Sequence, residues 1–308
     1  MKSLKRRFNR KNVISFLGNA FCYIVLFGII FLVLYPLIEK SSNIFKNADD
    51  LIDKTVLYIP KEPTLDTLKT TLSAMKYWSA LLNTVALSGG LAIIQVLICT
   101  LISYGLARFK FLGNRLLFLF VIIALIIPPQ VIITALYLIF QGFDIAYIFR
   151  TILGKPLELI GTPLPLIMLS LTGLGYKNSL YIFMMRQFFK NMPVELEEAG
   201  TIDGAGTFMV FRRIMLPEAA SMMVTIFMFA FSWQWTDGYF TTLLMNDVNV
   251  LSNSLSLLQS YGKMTISPIM RTAIIDTGLI LIIIPLLLLY LVGQKFFVEG
   301  VSRSGIVG

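Results

Sequence analysis

The sequence predicts an all-α polytopic membrane protein with six transmembrane helices, and three observations support this fold class. Hydrophobic residues make up 56% of the 308 residues and charged residues only 14%, whereas a soluble domain carries about 25% charged residues. The mean hydropathy is +0.79. Several apolar runs exceed the roughly 20 residues that cross a bilayer core as a helix. These features exclude an ordinary soluble protein.

The six spans follow from the charged residues, because each span is an apolar run between charged segments. The first three runs are free of charge, whereas the fourth is interrupted by two glycines and a lysine. The first run is too long for the apolar core of a signal peptide and lacks a nearby cleavage site, so we expect an uncleaved span. The predicted spans cover 13–38, 79–107, 116–143, 164–189, 219–236 and 272–293.

The distribution of charge predicts the orientation. Six spans place both termini on one side, and the side with the excess of lysine and arginine is cytoplasmic. The segments on the side of the termini carry 15 basic and 6 acidic residues, whereas the opposite segments carry 10 of each. The tail 1–12, the loop 190–217 and the tail 294–308 are therefore expected in the cytoplasm. The segments 39–78 and 237–271 are expected outside.

The external segment 39–78 leaves two interpretations open. It contains Pro60 and Pro63 as helix breakers and then a possible short helix around 64–77. It is either a solvated loop or a surface on which an external partner docks.

The composition also excludes several catalytic classes. The sequence has no histidine, which excludes a histidine proton relay, a histidine-ligated metal and a Ser-His triad. Its two cysteines, Cys22 and Cys99, lie inside apolar runs and indicate small hydrophobic side chains rather than a disulfide framework. The sequence contains no G-x-x-x-x-G-K-[ST] phosphate loop. We therefore expect a chain that is not an enzyme and does not hydrolyse nucleotide itself.

The loop 190–217 carries the clearest functional signal. It predicts two short helices, the first beginning near Pro193 and carrying glutamates in its first turns, where the helix dipole favours them. Asp203 is expected to cap the second helix. This helix is expected to end with two arginines, shortly before the helix breaker Pro217. Three large apolar residues need a cover, either the underside of the membrane domain or a partner protein. They are Phe208, Met209 and Phe211.

This loop resembles the EAA motif of bacterial ABC importer permeases, in which E-A-A, three residues, G, nine residues and I-x-L-P follow one another. Here Glu198-Ala199-Gly200 precedes Gly204, and Ile214-Met215-Leu216-Pro217 follows at the family's spacing. Gly200 departs from the second alanine of the motif, which is expected to loosen the first helix by about 1 kcal/mol. The resemblance implies that the following residues couple the chain to an ATPase: Glu197, Glu198, Ala199, Gly200, Asp203, Gly204, Ile214, Leu216 and Pro217.

The resemblance extends over most of the chain. The stretch 103–109, Ser-Tyr-Gly-Leu-Ala-Arg-Phe, is similar to the family's A-Y-A-L-A-R-F exit from the second span. Trp235 in the fifth span also fits, although Thr236 stands where asparagine is usual. The ending 294–300, Gln-Lys-Phe-Phe-Val-Glu-Gly, is similar to that of MalG-like carbohydrate-uptake permeases. The resemblance implies a type I ABC importer permease fold with cytoplasmic coupling helices, in a bacterial inner membrane.

The resemblance also implies partners. Such permeases pair with a second, usually different, permease subunit and receive their ligand from an external solute-binding protein. Two ATP-binding cassette subunits use ATP and Mg, and their closure moves the loop and tips the spans from inward- to outward-facing. No cofactor on this chain and no nucleic-acid partner are expected. The implied substrate is a carbohydrate, in particular an oligosaccharide, with a phosphorylated polyol or an acidic sugar as the alternative.

Several residues at membrane depth are candidates for the substrate path. Ionisable groups there are costly and are usually functional. Lys177 lies in a glycine-containing stretch that predicts a broken span. Either it faces the translocation cavity with Tyr176 and Asn178, which favours an acidic sugar, or it lies at the interface and extends toward water. The other candidates are Trp233, Trp235, Asp237 and Asp276.

These other candidates have ordinary structural interpretations as well. The tryptophans are either aromatics of the membrane interface or stacking platforms for a sugar. Asp276 is either an outer-leaflet residue near Arg271 or a hydrogen-bonding group for sugar hydroxyls or for the partner permease.

Two other function classes compete with an importer subunit. A secondary transporter or channel needs no ATPase, but the EAA-type loop, the lack of an inverted repeat and the scarcity of intramembrane charge pairs argue against it. A membrane-bound enzyme lacks a catalytic constellation in this sequence, which has no histidine and no carboxylates clustered at the ends of spans.

Overall fold

The computed structural model describes residues 10–144, 147–262 and 266–305. Within these ranges every regular element is a helix, and an isolated antiparallel bridge joins Phe143 to Leu157. The predicted all-α class is thereby confirmed. The chain divides into two compact units, one formed by 1–73 and 258–281 and the other by 74–257 and 282–308. Residues 1–9 of the predicted basic tail and residues 306–308 lie outside the described ranges.

The helices are numbered in chain order. They are α1 (Arg10–Asn43), α2 (Ala48–Ile52), α3 (Asp66–Ala74), α4 (Tyr77–Arg108), α5 (Asn114–Ile126), α6 (Pro129–Gln141), α7 (Ile148–Leu153), α8 (Leu164–Leu171), α9 (Asn178–Asn191), α10 (Glu195–Ile202), α11 (Thr207–Val210), α12 (Leu216–Glu218), α13 (Ala220–Thr236), α14 (Phe240–Leu244), α15 (Leu251–Ser260) and α16 (Pro268–Gly305). A π-helical turn, Phe211–Met215, joins α11 to α12.

In the first unit, the segment that follows α1 is folded by hydrogen bonds to its own backbone. Asn47 caps α2 by accepting a hydrogen bond from the N–H of Asp50 (2.7 Å). The buried carboxylate of Asp50 accepts the backbone N–H groups of Lys61 (3.0 Å) and Glu62 (3.3 Å). The short helix predicted within 64–77 is present as α3. The segment 39–78 is therefore an ordered structure and not an extended connection.

In the second unit, α4 is the central helix. It packs against α8, α9 and α13, and many of the side chains that it buries are small or polar, which allows helices to approach closely in a membrane. Fully buried examples are Ala80, Ser88, Ala92, Cys99 and Ser103. The hydroxyl of Ser103 donates to the carbonyl of Ile182 in α9 (3.0 Å). This packing makes α4 the support on which the neighbouring helices are positioned.

Three helices in the described part of the chain are long and apolar enough to cross a membrane: Ser15–Asn43, Tyr77–Arg108 and Pro268–Lys295. Two pairs of shorter helices pass the same test only together, and each pair is sharply bent at a short break. The count among the described residues is therefore three, or up to five if each bent pair is one span. The count of six stays a prediction.

The third predicted span, 116–143, is divided into two helices at Pro128-Pro129. It consists of α5 and α6, which are bent by 103°. A residue before proline is driven out of the helical conformation, and the pair Pro128-Pro129 imposes this twice. Ile127 (ψ 123°) and Pro128 (ψ 129°) are accordingly extended. The interruption predicted within 164–189 lies at 172–177, between α8 and α9.

Candidate functional site

The loop 190–217 begins with α10, which ends in a glycine turn. Gly204 has a left-handed backbone (φ +80°), which glycine adopts without steric cost. The N–H of Ala205 bonds to the carbonyl of Gly200 and the N–H of Gly204 to that of Thr201, both at 3.0 Å. These two bonds form a Schellman motif. Gly204, the glycine that the EAA motif specifies, thus determines where α10 ends and where the chain turns.

Two local expectations for this loop meet different outcomes. Glutamates 195, 197 and 198 occupy the first turn of α10, as predicted. Asp203 lies at the C-cap of α10, where its N–H bonds to the carbonyl of Ala199 (3.0 Å), and Gly206 takes the N-cap position of α11. The expectation that Asp203 caps the second helix is therefore wrong, because the turn at Gly204 delays the start of that helix to Thr207.

Gly200, which departs from the EAA motif, lies where two parts of the loop meet. A Cβ at this position would lie 2.7 Å from Ile214 Cδ1 and 3.1 Å from Val210 Cγ2, both shorter than an optimal carbon–carbon contact of about 3.5–4.0 Å. The glycine therefore permits a close approach of α10 to the π-helical turn. Gly200 lowers the helix propensity of α10, but it also allows the start of the EAA motif to contact Ile214 near the end of the motif.

An ion pair attaches α10 to the end of α4. Arg108 Nε lies 3.2 Å from Glu197 Oε1, and the two side chains are only 11% and 20% exposed. Arg108 also donates from Nη2 to the carbonyl of Met192 (2.8 Å). Glu198 and Ala199, by contrast, are exposed. The adjacent residues Glu197 and Glu198 therefore have different surroundings. Glu197 is paired with Arg108 at the end of α4, whereas Glu198 is exposed.

An aromatic cluster continues this attachment beneath α4. The ring centroid of Tyr104 lies 4.7 Å from that of Phe211 and 5.5 Å from that of Phe189. Phe211 and Phe189 are both buried. The membrane domain thus covers Phe211, which is one of the two covers that the sequence allowed for this residue.

The end of the motif sets the angle between the loop and α13. The N–H of Leu216 bonds to the carbonyl of Phe211, five residues back, as in a π-helix. Pro217 has no N–H, and its ring clashes with the carbonyl four residues earlier in an α-helix. The wider turn relieves this clash. The segment Thr207–Glu218 is bent by 71° from Ala220–Thr236.

Three large apolar side chains beside the Schellman turn are exposed. Ile202 is 85% exposed, Phe208 71% and Met209 45%. They flank the Schellman turn on a segment too polar to be a span. We name these three residues the apolar docking patch. Within the described residues, the underside of the membrane domain leaves Phe208 and Met209 exposed, and a partner protein is the other cover that the sequence allowed for these two residues.

A second group of candidates lies at the break between α8 and α9, which α4 supports. Gln95 Nε2 donates to the carbonyl of Tyr176 and to Ser170 Oγ, each at 3.4 Å. A Cβ on Gly175 would lie 3.0 Å from Gln95 Nε2, so this close approach needs glycine. Unwound backbone is tolerated at membrane depth only where protein buries it or a cavity receives it. Gln95 supplies this protection from the neighbouring helix.

Lys177 stands at the start of α9 with a left-handed backbone (φ +63°). Its ammonium Nζ lies 5.5 Å from the ring centroid of Tyr176 and 5.3 Å from that of Trp233, which are cation–π distances. Lys177 and Tyr176 line a cavity of about 360 Å³ whose other walls come mainly from apolar residues of α5, α6 and α8. The residues that line this cavity therefore include Tyr176 and Lys177 but not Asn178.

Asn178 and Trp235 are buried in the second unit. Asn178 is fully buried, and its Nδ2 lies 3.5 Å from the carbonyl of Ser170. Trp235 is 1% exposed and donates from Nε1 to the carbonyl of Ile282 (3.0 Å). Asn178 therefore connects α9 to α8, and Trp235 connects α13 to α16.

The two aspartates among the path candidates also have internal partners. The buried carboxylate of Asp237 accepts the backbone N–H groups that start α14, including that of Thr241 (2.8 Å), and the Thr241 hydroxyl (2.8 Å). In the first unit, Asp276 forms an ion pair with Lys40 and accepts a hydrogen bond from Asn43 Nδ2 (3.3 Å). The partner of Asp276 is thus Lys40 and not Arg271, which is nearer in sequence.

Three residues that position these sites were not among the predicted site residues. They are Gln95, Tyr104 and Arg108. Gln95 is a polar residue inside an apolar run, a signal that can be read from the sequence. Tyr104 and Arg108 lie in the stretch 103–109, which carries the family resemblance but does not by itself indicate contact with the loop.

The comparisons with known proteins agree with this geometry. A family model described as "Binding-protein-dependent transport system inner membrane component" matches residues 97–303, a range that includes the break and the loop 190–217. The maltodextrin transport system permease protein MdxG of Bacillus subtilis is 26% identical over 293 residues, which cover 94% of this chain and 97% of the relative.

Two solved structures show the same fold. A bacterial ABC transporter involved in the import of the acidic polysaccharide alginate contains a chain with a TM-score of 0.73 and 18% identity, and the match covers 94% of this chain and 99% of that chain. The alginate ABC transporter in complex with an alginate pentasaccharide-bound periplasmic protein gives a TM-score of 0.67, 16% identity and coverages of 94% and 96%. The predicted resemblance to importer permeases is confirmed, and the chain belongs to the family of inner-membrane components of binding-protein-dependent transport systems.

Proposed function

We propose that this chain is the membrane-spanning subunit of an ATP-driven importer and that it moves an oligosaccharide across a bacterial inner membrane. The observation that carries the proposal is the loop 190–217. It combines the spacing of the EAA motif, an attachment to α4 through an ion pair and an apolar docking patch that is exposed in the described part of the chain. A loop that is anchored to the membrane helices on one side can transmit motion to them only if a partner protein binds its exposed side.

The partner that fits the patch is an ATPase subunit. Ile202, Phe208 and Met209 would enter an apolar groove of that subunit, and Glu198 would face its surface. Because Arg108 and the Tyr104 cluster fix the inner side of the loop to α4 and α9, a displacement of the loop is passed to these helices. ATP and Mg are used by the partner, and this chain breaks no covalent bond.

The remaining parts of the proposal rest on the relatives. The name of MdxG, a maltodextrin permease, supports an oligosaccharide as the substrate. The alginate transporter in complex with a sugar-loaded periplasmic protein supports an external solute-binding protein as the donor of substrate. A second permease subunit completes the path. The excess of basic residues in the segments that adjoin the termini supports cytoplasmic termini.

The test is the retention of the ATPase on the purified chain. The chain is co-expressed with its neighbouring permease and a candidate ATPase, extracted in detergent and bound to an affinity column. Ile202→Glu and Phe208→Glu each place a charge in the apolar docking patch. Ile59→Glu is the matched control, because Ile59 is 84% exposed and Ile202 is 85% exposed, but Ile59 lies in the external segment.

We expect the wild type and Ile59→Glu to retain the ATPase and both loop variants to release it. The proposal is refuted if no ATPase associates with the wild type, or if both loop variants retain it as the wild type does. An ATP-independent transporter then becomes the better assignment.

A further inference from the structure

The cavity between the two helix breaks contains the ammonium group of Lys177. Among the described residues, Lys177 forms no ion pair. Its neighbours are the rings of Tyr176 and Trp233, which attract a cation but do not cancel its charge. An ionisable side chain at membrane depth is costly and normally has a partner. The missing negative charge is therefore expected from a ligand.

The geometry holds this cation in place. The start of α9 is fixed from below by Gln95, which donates to the carbonyl of Tyr176, and by Gly175, which packs against Ser170 and Gln95. Tyr176 in turn packs on Phe240, with ring centroids 5.3 Å apart. Lys177 is thus presented by a supported turn and not by a free loop, which lowers the ordering cost of binding a ligand.

The cavity walls limit the class of ligand. The lining is apolar apart from the break itself, and its polar side chains are Tyr176, Lys177 and Ser179. The first turn of α9 also begins here, and a helix start favours negative charge. One ammonium matches a singly charged carboxylate better than a phosphate ester, which carries about two charges. The aromatic faces supply an apolar surface for the C–H face of a sugar ring.

We propose that Lys177 is an anion-binding residue of the translocation path and that the substrate is an oligosaccharide bearing carboxylates, such as a uronic acid oligomer. Lys177 binds one sugar carboxylate, while Tyr176 packs against the same sugar. This inference rests on the proposed function and specifies in addition that the substrate is negatively charged.

The test compares two sugars that differ in the carboxylate. The complex of this chain with its partner permease and ATPase is purified in detergent, and digalacturonate and neutral galactobiose are titrated by calorimetry. The variants are Lys177→Met, which keeps the length of the side chain, and Lys177→Arg, which keeps the charge. Lys155→Met is the matched control, because Lys155 is an exposed lysine outside the cavity.

We expect the wild type to bind digalacturonate at least about tenfold more tightly than galactobiose, as a hydrogen bond between charged groups implies. Lys177→Met should lose this preference, whereas Lys177→Arg and Lys155→Met should keep it. The inference is overturned if the wild type shows no preference or if the preference survives in Lys177→Met.

An anionic lipid headgroup is the rival source of negative charge, and mass spectrometry of the purified complex distinguishes it. A phospholipid that co-purifies with the wild type and is lost in Lys177→Met, without any preference between the sugars, also overturns the inference. Neither result touches the proposed function, because the ATPase remains bound in these complexes.

Discussion

Breaking the ion pair between Arg108 and Glu197 should loosen α10 while leaving the exposed side of the loop unchanged. At 3.2 Å, two unit charges attract by about 5 kcal/mol at an effective dielectric constant of 20. Desolvation offsets part of this attraction, and removal of one partner from a fully buried pair costs about 3–5 kcal/mol. Because these side chains retain some access to water, we expect Glu197→Gln to cost about 2 kcal/mol.

Arg108→Gln should cost more than Glu197→Gln. It also removes the hydrogen bond from Arg108 Nη2 to the carbonyl of Met192, which contributes about 1 kcal/mol. The double variant should cost less than the sum of the two single variants, because the ion pair can be lost only once.

The assay is hydrogen exchange of the backbone amides of α10, read by mass spectrometry on the detergent-purified chain. A local cost of about 2 kcal/mol lowers protection roughly 30-fold. The matched control is Glu198→Gln, which removes the adjacent but exposed carboxylate and should leave exchange in α10 unchanged. Unchanged exchange in α10 of Glu197→Gln, or an equal rise in Glu198→Gln, would show that the ion pair does not hold α10.

Two further predictions concern the packing of single residues. Gly200→Ala restores the alanine of the EAA motif but places a Cβ 2.7 Å from Ile214 Cδ1, so a cost of about 1–3 kcal/mol should outweigh the gain of about 1 kcal/mol in helix propensity. Adding Ile214→Val removes Cδ1, and the double variant should melt at a higher temperature than Gly200→Ala; equal melting temperatures would contradict this packing. Asp237→Asn removes the charge that the N–H groups of α14 bind and should lower the free energy of unfolding by about 1–2 kcal/mol. Thermal unfolding tests this against Asp247→Asn, an exposed carboxylate whose loss should change nothing, and similar behaviour of the two variants would count against the capping role.

Local rules made much of the loop 190–217 predictable. The acidic first turn of α10 and the effect of Pro217 follow from neighbours within one or two turns of the chain. The same holds for the break at Pro128-Pro129, although the sequence did not indicate a bend as large as 103°. The error at Asp203 has the same local origin, because an aspartate before a glycine turn can end one helix as well as begin the next.

The contacts between distant segments could not be predicted in this way. Nothing in the order of residues distinguishes Glu197, which pairs with Arg108, from the exposed Glu198. Likewise, Trp233 lies beside the ammonium of Lys177 while Trp235, two positions further along the same helix, is buried and bonded to Ile282. A helix turns by about 100° per residue, so its rotation about its own axis decides which neighbour faces a cavity.

The sequence by itself determined that this protein is a helical membrane protein with a loop that has the spacing of the EAA motif. Composition, the lengths of apolar runs and the spacing of turn residues are properties of the chain alone. Only the tertiary structure decided which side of the loop is anchored and which is exposed, and which of the path candidates reach a cavity. These outcomes depend on the packing of α4 against α8, α9 and α13, in which residues far apart in sequence share one buried interface.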